Sequence, residues 1–399
     1  MIAPKQLYYP VLTGLRAVAA YLVFFYHFSP ERVDWGWLPK HSWVSHFMEE
    51  WHIGVPIFFV LSGFLIATRY QQRLELSGAW WWQYLRNRVA RIYPMYALLT
   101  LLTFGVFALR PAWDLSEQWA NYTGTDKLLV VGLNLTFLRG FFDHFKFTGI
   151  TQGWSLTAEE CFYLAAPFLL LGLRRNARWL PLYAAGLLGF AAFLMGLGQV
   201  LKPTPVLGTF GFLGSPSLLL TFTFFGRCVE FLAGMALALY INRRLAGQRP
   251  SGVFTWAGMA WIAACTWLLM LVETPLDAAH GTSSPVGIAV NNLLLPWGVV
   301  LLLYGLMHEA TWVRALLETR LFKLLGQSSY VFYLIHVGVL SQALSRYVTG
   351  NLLLLFLLLI SLSIVLFRLV EEPLHRLLTG RRTPLDKTEK PQLLDTAGD

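Results

Sequence analysis

A chain of 399 residues that is 56 % hydrophobic and only 13 % charged, with a mean hydropathy of +0.53, is not a soluble domain, which would carry about twice that charged fraction. Its net charge of +9 comes from lysines and arginines scattered between apolar runs, a pattern of cytoplasmic loops rather than of a nucleic-acid-binding face, so no nucleic acid partner is expected. The runs recur from end to end and are too long for barrel strands, so the expected class is all-α: a polytopic membrane protein surrounded by lipid.

The first run, LTGLRAVAAYLVFFYHF at residues 12–28, carries Arg16 and His27. Eleven residues make about three full turns, so the two share a face, about 16 Å apart along the axis. Ionisable groups in such a run are costly unless they face a polar cavity. A neutral imidazole there is a ready general base; a helix-end histidine hydrogen-bonded at the interface is the plainer alternative. No small-residue cleavage site follows, so the run is expected to stay as a span. Residues 29–52 then bring Trp35, Trp37, Trp43, Trp51, His41, His46, Glu49 and Glu50, which suit a carbohydrate-facing surface and a membrane-interface belt equally well. In the second span, 53–70, Ser62 and Gly63 allow close helix packing. Residues 74–91 set Trp80, Trp81, Trp82 and Tyr84 beside Arg86, Arg88 and Arg91, which reads as an amphipathic helix on the inner face. Arg88 and Arg91, one turn apart, suit either an inner anchor or a grip on a phosphate or pyrophosphate.

The third span is 92–109. Residues 128–142 are short for a bilayer of about 30 Å and read as a re-entrant or half helix. Spans at 154–173, 179–199, 218–240, 254–272, 286–307, 328–346 and 351–370 complete an expected ten. With Lys5 inside, ten spans put every basic cluster (69–91, 174–178, 243–249, 314–323 and 376–382) and both termini on the cytoplasmic side. The fourth span opens GWSLTAEECFYLAAP, with Glu159 and Glu160 in its first turns, where the helix dipole favours an acid. They point about 100° apart, so one can face a cavity while the other meets a different partner. Trp154, Phe162 and Tyr163 distinguish this stretch from a solvated helix start, and Trp154 and Ser155 are candidate cavity residues. Arg227 and Glu230, at i, i+3 inside a span, are expected to pair. Ser329, Tyr333 and His336 form a polar stripe at i, i+4, i+7, which points to a cavity rather than lipid. Residues 202–216, rich in Pro and Gly, and 273–285, with Asp277 and His280, are outer loops. Cys161, Cys228 and Cys265 give no disulfide framework or metal spacing, and no metal is expected. No phosphate-cradling glycine loop, GxSxG or HExxH is present, which argues against an ATPase, a serine hydrolase and a zinc protease. One membrane domain over 1–376 and a polar, disordered tail over 377–399 are expected.

Five motifs in order, LTGLRAVAAYLVFFYH, FFVLSGFLI, the RxxRxxP of residues 88–94, GWSLTAEECFYL and SSYVFYLIH, make the chain resemble the membrane acyltransferase 3 family over nearly its whole length. The resemblance implies a bacterial inner-membrane enzyme. It would move an acyl group, commonly acetyl, from cytoplasmic acyl-CoA to a hydroxyl, commonly on a sugar of a lipopolysaccharide, exopolysaccharide or glycolipid. It further implies that His27 is the catalytic histidine with Arg16 as its functional neighbour, and that Arg88 and Arg91 hold the CoA end of the donor. Glu159 and Glu160 match the acidic pair, and Tyr333 and His336 the late motif. Two departures stand out. The family often reads LDGLRG where Leu12 to Ala17 read LTGLRA, so Arg16 is expected to pair elsewhere, and EEQFY reads EECFY here. A hydrolase-like SGNH domain carried by many relatives is absent, so the chain is expected to work alone or with separate glycan-biosynthesis or export proteins.

On this reading His27 takes the proton of the acceptor hydroxyl, Glu159 or Glu160 orients the imidazole, and Arg16 stabilises the oxyanion. Direct transfer and an acyl-enzyme both stay open. His27 falls at the outer end of its span and CoA binds at the inner end, so a water-accessible cavity or a channel must join them. The alternative class is a transporter or flippase of a glycan or glycolipid, its intramembrane Arg, Glu and His lining a path, although no inverted repeat is evident.

Overall fold

Lipid offers no hydrogen bonds to a bare backbone, so apolar runs close their own as helices. The structure, a computed structural model, describes residues 9–204, 207–243, 253–272 and 281–380, and among these no strand forms, only an isolated bridge between Phe142 and Phe212. In chain order the helices are α1 Pro10–His27, α2 Trp43–Glu49, α3 Gly54–Tyr70, α4 Gly78–Leu109, α5 Gly124–Leu135, α6 Trp154–Arg175, α7 Leu180–Leu201, α8 Pro216–Phe222 and α9 Cys228–Arg243. There follow α10 Phe254–Val272, α11 Pro285–Ala289, α12 Leu295–His308, α13 Trp312–Leu317, α14 Arg320–Ile335, α15 Val339–Tyr347, α16 Leu352–Leu366 and α17 Glu372–Thr379. Most of the basic cluster at 243–249, together with Lys5, Asp277, His280 and the expected tail beyond Gly380, lies outside the described residues.

The structure bears out an all-helical chain with several membrane-length helices, fewer than the ten expected. Among the described residues eight helices are long and apolar enough to cross a bilayer, and a bent pair, α14 with α15, brings the number to nine if it counts as one span. The expected span at 218–240 is broken into α8 and a 16-residue α9. The expected span at 328–346 bends by 87° between α14 and α15, where Gly338 takes a φ of +104°, a conformation glycine adopts without strain. The separate amphipathic helix expected at 74–91 does not form. It is the first half of α4, a single 32-residue helix capped by Ser77, whose length of about 48 Å exceeds a bilayer core. The short run at 128–142 yields α5, about 18 Å long, which stops before Phe137, a residue with positive φ.

Small residues set the packing around α1. Gly54 of α3 lies against the backbone of Ala19, and Gly326 of α14 against that of Thr13, so a side chain at either glycine would collide with main chain. Gly63 of α3 and Gly234 of α9 make the same kind of approach to each other's helices, at Phe231 and Val60. By contrast α7 and α16 are largely exposed, as helices facing lipid on most sides would be. The buried apolar core joins α1, α3, α4, α6, α9, α12 and α14, which leaves α1 with polar residues at both ends and protein on most sides.

Candidate active site

His27 closes α1, and His336 caps α14. The helices run side by side in one direction, Gly326 against Thr13 at one end and the two imidazoles at the other, with ring centroids 5.3 Å apart. His336 is fully buried, and its Nδ1 lies 2.8 Å from the Tyr333 carbonyl. A carbonyl only accepts, so Nδ1 carries the proton and Nε2 is left as an acceptor. Among the described residues Nε2 has no hydrogen-bond partner. Phe24 and Phe332 border the His336 ring. Arg32 and His52 lie within electrostatic reach of His27.

A buried acidic group supports this end. Glu49 accepts from Arg32 Nη2 at 2.7 Å and Nε at 3.1 Å and from the Ser29 hydroxyl, while the Arg32 guanidinium also lies 4.5 Å over the Tyr26 ring. Burial works against the Arg32 charge, but the Glu49 hydrogen bonds and neighbouring Tyr26 outweigh it and hold the group above its ordinary pKa. Glu50 lies 3.6 Å from His52 Nδ1 and accepts the Gly281 amide at 2.5 Å. Read from sequence, Glu49 and Glu50 are loop carboxylates; in the structure they are 3 % and 0 % exposed.

The arginine end is separate. Arg16 lies within electrostatic reach of Arg91, of Glu159 and Tyr163 on α6, and of Glu371, which stands between α16 and α17. Arg91 pairs with Glu371 at 3.3 Å. Glu159 accepts from Ser62 at 2.8 Å and from the Tyr163 hydroxyl, which gives Ser62 a polar role beside its packing one. The Arg88 guanidinium lies 5.7 Å over Tyr70 and 5.6 Å over Tyr163. Its Nε has no hydrogen-bond partner among the described residues, and Glu160 stands within reach of Arg88 and Glu159. Thus the acidic pair groups with the arginines of the Arg16 end, and His27 groups with His336.

Between the two ends lie ties that mend broken helices. The last carbonyls of α14 lose their helical partners at its bend. Gln152 Nε2 donates to those of Tyr333 (2.7 Å) and Leu334 (2.9 Å), and the Tyr333 hydroxyl lies 2.9 Å from Ser155 Oγ and donates to Gln152 O at 3.1 Å. Ser329, fully buried, donates to the Gly326 carbonyl of its own helix at 2.8 Å. At the α8–α9 break, Asn292 donates to the Leu220 and Gly226 carbonyls and Arg227 Nη1 to that of Thr221. Arg227 and Glu230 do pair, bidentate at 2.7 and 2.9 Å and almost fully buried, with Phe59 and Trp154 rings beside the guanidinium. Sequence reasoning passed over Arg139, which is fully buried. It donates to Asn134 Oδ1 at 2.8 Å, to Ile150 O at 2.5 Å and to Thr148 O, and burial pulls its guanidinium below the ordinary value. Its only signal is a charge within the short apolar run at 128–142.

Comparison with known proteins adds to this geometry. The family model of the acyltransferase domain, acyltransferase 3, matches residues 9–369. The chain is 27 % identical over 414 residues to the acyltransferase MdmB of Streptomyces mycarofaciens, with 97 % of each covered. It is 23 % identical over 388 residues to a Staphylococcus aureus (strain COL) protein that carries a provisional O-acetyltransferase name, covering 93 % of this chain and 58 % of that one. Against the O-acetyltransferase OatA of Staphylococcus aureus (strain NCTC 8325 / PS 47) it is 25 % identical over 190 residues, 43 % of this chain and 26 % of the relative. No solved structure matches.

Proposed function

Since the chain belongs to the acyltransferase 3 family and is a multi-pass membrane O-acyltransferase, we propose that it moves an acyl group from cytoplasmic acyl-CoA to a hydroxyl of a carbohydrate or glycolipid. The acyl group on this reading is acetyl, and the membrane is a bacterial inner membrane. The observation that carries the reading is the two-ended α1: paired histidines at one end, and arginines with aromatic and acidic neighbours at the other.

In this mechanism the donor's phosphates meet Arg88 and Arg91. Arg88 offers an unpaired Nε; Arg91 is shared with Glu371. The thioester reaches along α1 toward His27, which lies about 16 Å along the helix axis from Arg16. His27 takes the proton from the acceptor hydroxyl as the oxygen attacks the thioester carbonyl. The C–S bond then breaks, and the departing thiolate takes that proton from the imidazolium. His336, its Nδ1 fixed on a backbone carbonyl, presents Nε2 as a hydrogen-bond acceptor beside His27. Glu159 and Glu160 act on the arginine group rather than as the orienting acid of His27, and Arg16 serves with them in shaping the donor end.

The test is transfer of label from radiolabelled acetyl-CoA to glycan or glycolipid in membranes containing the protein. Label on the acceptor that disappears with His27→Ala is the expected result. Full transfer by that variant overturns the base assignment, and acceptor movement without label favours a transporter or flippase.

A further inference from the structure

We propose that the loop between α1 and α2, together with the start of α2, binds a divalent transition-metal ion of the zinc type through Glu31, His41 and His46. The site lies outside the groups used by the reaction, and its occupation does not depend on that reading. Each of the three residues offers a ligand atom, and these atoms all lie within 4.8 Å of one another. His41 Nδ1 is 3.2 Å from Glu31 Oε2, and the two imidazole rings are 6.2 Å apart between centroids.

Two imidazoles and one carboxylate form a donor set suited to zinc, with the fourth position open to water; calcium and magnesium take oxygen ligands instead. The loop is built to hold this set. Glu31 Oε1 accepts from the Ser45 hydroxyl and from the His41 amide, each at 2.5 Å, which orients the carboxylate and turns Oε2 toward the His41 ring. His41 adopts a φ of +56°, uncommon for a residue with a side chain, while that same amide bond ties it to Glu31. His46 stands on α2, whose N-terminus is capped by the Ser42 side chain. Glu31 and His46 are half-buried and the His41 side chain is 81 % exposed, so an ion can enter from solvent. The next residue, Arg32, is the one that grips Glu49. An ion on Glu31 would therefore stiffen the loop whose Arg32 lies within electrostatic reach of His27.

The experiment uses the full chain purified in detergent through a tag free of histidine. After chelator treatment it is titrated with zinc by calorimetry and with cobalt(II) by visible absorption. One equivalent of zinc is expected, with cobalt bands of a four-coordinate site. His41→Ala, at an exposed position, and Ser45→Ala, which removes the hydroxyl that orients the carboxylate, are expected to weaken zinc binding by more than about tenfold while the protein elutes as the parent does. Zinc binding that is absent, or unchanged in both variants, overturns the proposal and leaves Glu31 and His41 as a surface ion pair only.

Discussion

The tautomer of His336 is set by one carbonyl: with Nδ1 donating to Tyr333, the ring beside His27 can only accept through Nε2. Replacing His336 with Leu removes that acceptor but leaves the neighbouring Phe24 and Phe332 in place. If the imidazole assists His27, kcat should fall about 10²-fold with the KM for acetyl-CoA little changed, as initial rates in membranes would show. Arg88 predicts the opposite split. With its guanidinium over Tyr70 and Tyr163 at the donor end, Arg88→Ala should raise the KM for acetyl-CoA about tenfold and leave kcat within a few-fold. A fall in kcat alone would remove Arg88 from the donor site.

Helices in this protein break where side chains can take over the work of the backbone. The α14 bend relies on Gln152, and the α8–α9 break on Asn292 and Arg227. An orphaned buried carbonyl costs about 1–3 kcal/mol. Gln152→Leu should therefore lower the melting temperature in detergent, and transfer should suffer because His336 sits at the same bend; an unshifted melt would show the tie to be dispensable. Arg227 has a heavier duty, since its removal strands Glu230. Arg227→Met should cost about 3–5 kcal/mol, and a second change, Glu230→Leu, should recover most of it. Thermal unfolding of the parent, the single variant and the double variant measures both.

Across the whole molecule, α3 is the span that separates the loop carrying Trp37 from the start of α4 carrying Trp82, and both tryptophans are well exposed. Cysteines at these positions, in a background without Cys161, Cys228 and Cys265, should react with an impermeant thiol reagent from opposite sides. In intact spheroplasts Trp37→Cys should label and Trp82→Cys should label only after permeabilisation. Labelling of both from one side would overturn the expected orientation, and with it the separation of donor and acceptor between the two ends of α1.

The sequence by itself determined the class, the family and the position of most spans. Apolar run length, charge placement and the order of short motifs are local properties, and the membrane enforces them strongly. The Arg227–Glu230 pair was legible for the same reason, since i, i+3 neighbours on a helix must meet. Only the tertiary structure decided which distant residues share a site. It set Glu159 with Ser62, Tyr163 and the arginines, and His336 beside His27. It buried Glu49, Glu50 and Arg139, gathered Glu31, His41 and His46, and broke two expected spans. Hydropathy cannot foresee such breaks, because what makes them tolerable is a donor from elsewhere in the chain, and that donor's arrival depends on how the helices pack.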